Sequence, residues 1–324
     1  MKKFVSLLVA VIMVLALGMS AALADTITVG IVNNPPSESG YRAANVADFE
    51  RVFSAENGYE VKTIYTLKND EQITAANQFI TDGVDYLLIS AADTTGWDET
   101  LAKAQEAGIG VFLFDRMINC DPSLYEAAVV SDMSNEGVTA VDWLVAQNLP
   151  AYNVIHIQGV MGSDAQRGRT GALDAKFEDG TMKKIVQQTG NWSADEAKKI
   201  VESVINSGEK FNVIYAENDD MAKGAVAALD EAGITHGTAE GAEVVVMGFD
   251  CNKWALRELL AGNWNYDGQC SPFQADVIDG MIKTLQAGNA IEGLNELGQI
   301  ISVEQGFDAR EMTEDIINQY GLGD

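Results

Sequence analysis

Three predicted helices in this chain stop in the same way, and that ending limits the possible folds more than any other feature of the sequence. Glu106-Ala107-Gly108-Ile109 and Glu231-Ala232-Gly233-Ile234 share one signature, and Thr81-Asp82-Gly83-Val84 is a variant of it. Each puts glycine where a helix leaves through the left-handed region, immediately before an apolar residue. A helix that ends sharply and hands over to an apolar run is returning to a strand, and repetition of that step is what βαβ units require.

The alternation extends along the chain. Residues 27–32 are β-rich, and 41–57 turn helical, with Ala44, Phe49, Val52 and Phe53 as an apolar stripe ended by Gly58. Strands are predicted at 61–65, 84–90 and 110–114, with helices at 71–79 and 99–106 between them. After a break near Ser131-Asp132-Met133 a second set follows. It has helices at 138–145, 171–177, 196–205 and 221–230 and strands at 154–157, 185–188, 213–215 and 244–247. Two sets of similar length predict an α/β architecture of two doubly wound lobes with a cleft between them. Roughly 300 residues beyond the leader is also more than one core usually supports. The segment 263–270 and a helix at 273–286 must then return to the first lobe, a step that periodicity does not supply.

Composition bears on compartment and partners. Lys2 and Lys3 lead an apolar stretch from Phe4, and Ala22-Leu23-Ala24 offers a small-residue cleavage site before Asp25. Residues 1–24 therefore read as a secretory signal peptide cleaved after Ala24, with an uncleaved anchor as the minor alternative. Without Lys2 and Lys3 the chain carries 19 basic against 48 acidic residues. Such a surface repels nucleic acid and anionic lipid and disfavours a polyanionic ligand. Three cysteines build no disulfide framework; Cys251 and Cys270 follow predicted strand ends and could pair, while Cys120 is left over.

In open α/β sheets ligands bind beyond the carboxyl ends of the strands. The run Val111-Phe112-Leu113-Phe114-Asp115-Arg116 shows such an end: four apolar strand formers, then an acid and a base. Asp115 accepts and Arg116 donates in a planar pair, a combination suited to vicinal hydroxyls. Other predicted strand ends supply Glu38, Tyr41 and Arg42; Trp97; Arg167 and Arg169; Trp192; Asn218; Asp250; and Gln269. Carboxylates, amides and guanidinium groups satisfy hydroxyls, flat aromatic rings meet the C–H face of a sugar, and near-cancelling charge favours a neutral polyol. Plainer roles compete: Asn218 or Asp219 as helix caps, Trp192 as packing, Glu38 and Arg42 as an i,i+4 pair, Asp115-Arg116 as a surface turn. No G-x-G-x-x-G or P-loop run is present, and His156 and His236 lack partners at metal-ligand spacing, so neither a cofactor nor a metal is expected.

The SESGYRAA, TTGW, FLFDR, IQG, YAENDDMAKGA and GFD elements resemble sugar-binding proteins of bacterial ABC importers, of the ribose and galactofuranose type. The similarity covers essentially the whole chain after the leader and is nearest the galactofuranose branch. The resemblance implies the type I periplasmic binding protein fold: two Rossmann-like lobes joined by three hinge crossings, 25–132 plus 270–304 forming the N-terminal lobe and 133–269 plus 305–324 the C-terminal lobe. It implies a monomeric, non-enzymatic receptor that captures a neutral monosaccharide and delivers it to an ABC permease. A sensory receptor serving a chemoreceptor or kinase is the alternative, and a glycan-processing enzyme a more distant one. By position, Asp115, Arg116, Asn218 and Asp250 match sugar-contacting residues, Trp192 a stacking aromatic and Gln269 a hinge-side residue. Arg167 is the choice for the second-lobe arginine, with Arg169 left open because the spacing to Gly171 is one residue short.

Overall fold

The computed structural model describes residues 26–323, so the leader lies outside the described residues. Ten strands come in two runs: β1 (Ile27–Asn33), β2 (Tyr59–Tyr65), β3 (Tyr86–Ile89), β4 (Gly110–Asp115) and β5 (Ala127–Val130), then β6 (Asn153–Gln158), β7 (Lys183–Thr189), β8 (Val213–Ala216), β9 (Val245–Asp250) and β10 (Tyr266–Gln269). Two short strands follow, β11 (Gln299–Ile301) and β12 (Gly306–Asp308). The first run with β11 forms one six-stranded sheet, β2-β1-β3-β4-β5-β11, and the second with β12 forms another, β7-β6-β8-β9-β10-β12. Pairing is parallel throughout except between β10 and β12. Each sheet reverses its winding beside its first strand, which opens a crevice at the carboxyl ends of the strands.

Local sequence explains the elements. β4 is buried along its whole length, as a strand covered on both faces by helices must be. The helix Ala194–Ser207 buries Ala197, Ile200, Val201 and Val204, one stripe at helical spacing, and starts where Ser193 accepts a hydrogen bond from the Glu196 amide. The three repeated endings behave as the sequence demands, with φ of 73° at Gly83, 72° at Gly108 and 68° at Gly233.

The chain passes between the sheets three times: after β5, after β10, and between β11 and β12. After the second passage the helix Ala275–Gln286 packs against Gly40–Val52, burying Ala275, Ile278 and Ile282 in the first lobe's core. That contact is the return that periodicity could not reveal.

Several elements begin earlier than their apolar periodicity. Met133–Ala146 starts at a cap from Asp132, and Asp164–Glu178 at a cap from Ser163, because their first turns are polar. β5, β11, β12 and the helices Lys253–Leu260 and Glu314–Tyr320 have no counterpart in the periodicity reading; most are too short to show a period. The three cysteines are free thiols, with Cys251 and Cys270 buried.

Candidate ligand-binding site

A cavity lies between the lobes, walled by Tyr41, Asp115 and Arg116 from the first and by Arg169, Trp192, Asn218 and Asp250 from the second. The lobes touch around it. The Gly40 amide donates to Asp220 (3.1 Å), the Met117 amide to Asp164 (2.9 Å) and the Thr94 amide to the Gly162 carbonyl (3.3 Å). The cleft is therefore closed.

On the first-lobe wall Asp115 ends β4 with φ of 64°. That left-handed turn, costly for a residue with a Cβ, is held by what the carboxylate accepts: the Tyr41 hydroxyl and the Ser90 hydroxyl at 2.8 Å each, and the Arg42 guanidinium. Burial by itself would raise the Asp115 pKa, but Arg42 and Arg116 outweigh it and hold the carboxyl below its ordinary range. Arg42 spends its donors inside the protein, on Glu38, Asn33, Asn45 and Asp115, so it anchors the wall and does not present itself to the cavity. Arg116 differs. Its Nη2 reaches Glu38 at 3.5 Å, while its Nε and Nη1 are buried without a hydrogen-bond partner.

Trp192 faces Arg116 across the cleft, with the guanidinium 6.0 Å from the ring centroid. Its backbone is left-handed too, at φ of 62°, and its Nε1 is buried and unpartnered. Gly159 makes room for the ring, since a Cβ at that position would overlap it.

On the second-lobe wall Arg169 donates from Nε to Glu136 at 2.7 Å, from Nη1 to the Glu217 carbonyl, and approaches Asp250 at 3.4 Å. Gly168 lets this helix press against Met133 of the neighbouring helix, which brings Arg169 to Glu136. Asp250, at φ of 110°, has its pKa pushed well up by burial, against the opposing pull of Arg169 and with help from Asp219 and Asp220. Asn218 Oδ1 caps the helix Asp219–Ala232 by accepting from the Met221 amide at 2.9 Å, and Asn218 also lines the cavity. Behind it, Asp219 and Asp267 are buried together; burial pushes both carboxyls well up, helped at Asp219 by the Asp267 charge and at Asp267 by the Asp250 charge.

Besides Arg42, four of the candidate residues do not line the cavity. Arg167 is exposed and Arg169 takes the wall, because a helix starting at Asp164 puts 169 in line with buried Ala165 and Leu173. Trp97 is fully buried in the first lobe's core with its Nε1 on the Asp93 carbonyl (3.1 Å), and it does not line the cavity. Gln269 ends β10 and lines a separate opening at the hinge with Glu136 and Glu304. Glu38 supports Arg42 and Arg116 from behind. His156 is a core residue against Glu217 at 2.8 Å, away from the cavity. Two participants, Glu136 and Glu304, were not singled out in the sequence; Glu136 reads there as an ordinary first-turn acid.

Two lobes of matching strand order, clasped over a polar cleft, have the architecture of the type I periplasmic binding proteins. The family model described as periplasmic binding protein domain matches residues 29–289, and the chain belongs to that family. It is 37% identical over 227 residues to the galactofuranose-binding protein of Escherichia coli (strain K12), covering 67% of this chain and 70% of that one. It is 30% identical to a fructose import binding protein of Bifidobacterium longum (strain NCC 2705), covering 82% of this chain and 81% of the relative. Among solved structures, a Mycobacterium smegmatis protein in complex with β-D-fucofuranose superposes with a TM-score of 0.80 at 27% identity, covering 90% of this chain and 95% of that one.

Proposed function

We propose that this protein is a periplasmic receptor that closes on a neutral monosaccharide of the galactofuranose or ribose kind and hands it to an ABC permease. One observation carries the reading: in a closed cleft walled by paired charges, Arg116 Nη1 and Trp192 Nε1 have no hydrogen-bond partner among the described residues, and Arg116 Nε has only a long ion-pair contact of 3.5 Å to Asp115. Buried donors without partners cost roughly 1–3 kcal/mol each, and hydroxyl oxygens of a neutral polyol would satisfy them without adding charge. Arg42 and Arg116 meet Glu38 and Asp115 on one wall, so an anionic ligand gains little there. The names of the relatives, galactofuranose and fucofuranose among them, favour a five-membered ring.

The work of the site is recognition and hinge closure, with Tyr41, Asp115, Arg116, Arg169, Trp192, Asn218 and Asp250 as the contacts. The lobes are 25–132 plus 270–304 and 133–269 plus 305–324, the leader is removed after Ala24, and the receptor acts as a monomer. A thermal-shift screen over furanoses, pyranoses, polyols and sugar acids tests this, since a ligand of the folded form raises the midpoint by mass action. A neutral sugar should stabilise the protein, be recovered unchanged, and lose its effect in Arg116→Ala. Stabilisation by sugar acids alone would overturn the reading.

A further inference from the structure

The three passages between the lobes meet at one carboxyl group outside the sugar cavity. Glu304 lies on the third passage, and its Oε1 accepts from the Ser131 hydroxyl on the first (2.7 Å) and from the Ser271 amide on the second (2.6 Å). Glu136 faces it, and Glu136, Cys270 and Glu304 each bring a polar side-chain atom within 4.8 Å of the others. Glu136 Oε2 is taken by Arg169, while its Oε1 is buried with no partner. Two carboxyl groups this close in a partly buried hinge favour a proton or a cation between them.

We propose that Glu304 is a positioning residue for sugar binding. Its protonated carboxyl donates to Glu136 Oε1, fastens the three passages in the closed form, and leaves Glu136 with a single charge to hold Arg169 against the cavity. Raising the pH removes that proton, sets the two carboxylates against each other and favours opening. This rests on the sugar-receptor reading above.

The surroundings agree with a proton on Glu304. Burial, then the Glu136 charge, push its carboxyl up to about 8. From the helix Met133–Ala146 the facing groups are Glu136 and its cap Asp132, and from β10 and the passage after it Tyr266 and Cys270. Tyr266 and Cys270 are both pushed up by burial and stay neutral through the range that matters. Arg169 stands behind Glu136, shared with Asp250. Closure that raises the carboxyl's pKa takes up a proton, so affinity falls as pH rises toward about 8 and levels off above it.

Calorimetry with the sugar found by the screen, from about pH 6 to 8.5, should show roughly tenfold weaker binding at the upper end, the equivalent of a one-unit difference between closed and open forms. Glu304→Gln keeps an acceptor for Ser131 and Ser271 and a donor for Glu136, and should bind with a flat pH profile; Glu304→Ala should bind weakly at both ends. A Glu304→Gln profile that falls like the parent's overturns the proposal, and so does sugar affinity that rises on adding zinc to the parent but not to Glu304→Gln. Carbon NMR of the glutamate carboxyls without sugar reads the proton of the open form: one signal should titrate about one unit below the closed-form value of about 8 and vanish in Glu304→Gln, and its absence overturns the proposal. A parent that binds no sugar at pH 6 overturns the receptor reading instead, and leaves the NMR titration to decide the proton.

Discussion

On the first-lobe wall of the cleft two guanidinium groups, Arg42 and Arg116, meet two carboxylates, Glu38 and Asp115. On the second-lobe wall Arg169 meets Glu136 and Asp250, with Asp219 and Asp267 buried behind and Glu304 at the hinge. The strand order is the same in both lobes, so topology does not cause the difference. A balanced wall stays ionised: Asp115 is held below its ordinary range. An acid-rich wall relieves its charge by keeping protons, as the raised Asp250, Asp219 and Asp267 do. The first wall is a rigid half-site indifferent to mild pH change, and the second, joined to the hinge, is the half that responds.

The largest expected effect tests the balanced wall. Asp115→Ala leaves Glu38 as the one carboxylate for two buried guanidinium groups that cannot shed their charge, which should cost about 3–5 kcal/mol of stability in denaturant unfolding. It should also weaken sugar binding by roughly 2 kcal/mol or more in calorimetry. A loss below about 1 kcal/mol in both measurements would mean that the first wall is not held together by charge pairing.

Arg169→Met is the matching change on the other wall. Asp250 is already pushed toward its neutral form by burial, so losing its guanidinium partner leaves less uncompensated charge and the stability loss near neutrality should be smaller, about 1–3 kcal/mol. It should grow as pH rises and that proton becomes harder to keep. A loss equal to that of Asp115→Ala and constant with pH would erase the contrast between the walls.

The smallest effect concerns the buried pair. Asp219 Oδ1 and Asp267 Oδ2 have no partner, and both carboxyls are raised by burial and by neighbouring acids. Their proton is bound in the folded state at pH values where the unfolded chain has released it, so stability declines as pH rises above the ordinary carboxylate range. Asp267→Asn supplies a permanent donor to Asp219 and should flatten that decline, gaining on the order of 1 kcal/mol near pH 8 in thermal unfolding. A variant that melts with the parent's pH dependence would place the proton elsewhere.

Which parts could be read in advance follows from how far each signal travels along the chain. Helix endings at Gly83, Gly108 and Gly233 and the buried run of β4 are local, and one turn or one strand contains the whole cause. Asp115, Asn218 and Asp250 were legible for the same reason, since each lies at the end of a strand recognisable by its apolar run or within two residues of it. Arg169 was left open because the polar first turn from Asp164 hides the helix phase that decides between 167 and 169. Trp97 follows a strand like the others, yet its ring turns into the core to donate to Asp93, a rotamer choice that no spacing reports.

By itself the sequence determined two α/β lobes, the strand ends on which a site could be built, and a residue chemistry suited to neutral hydroxyls. Tertiary structure alone decided which of those side chains meet, and it placed Glu304 beside Glu136 and Asp219 beside Asp267. The physical reason is that a carboxyl's charge state depends on its distance to partners tens or hundreds of residues away and on exclusion of water. Neither quantity exists until the three passages close the lobes on one another.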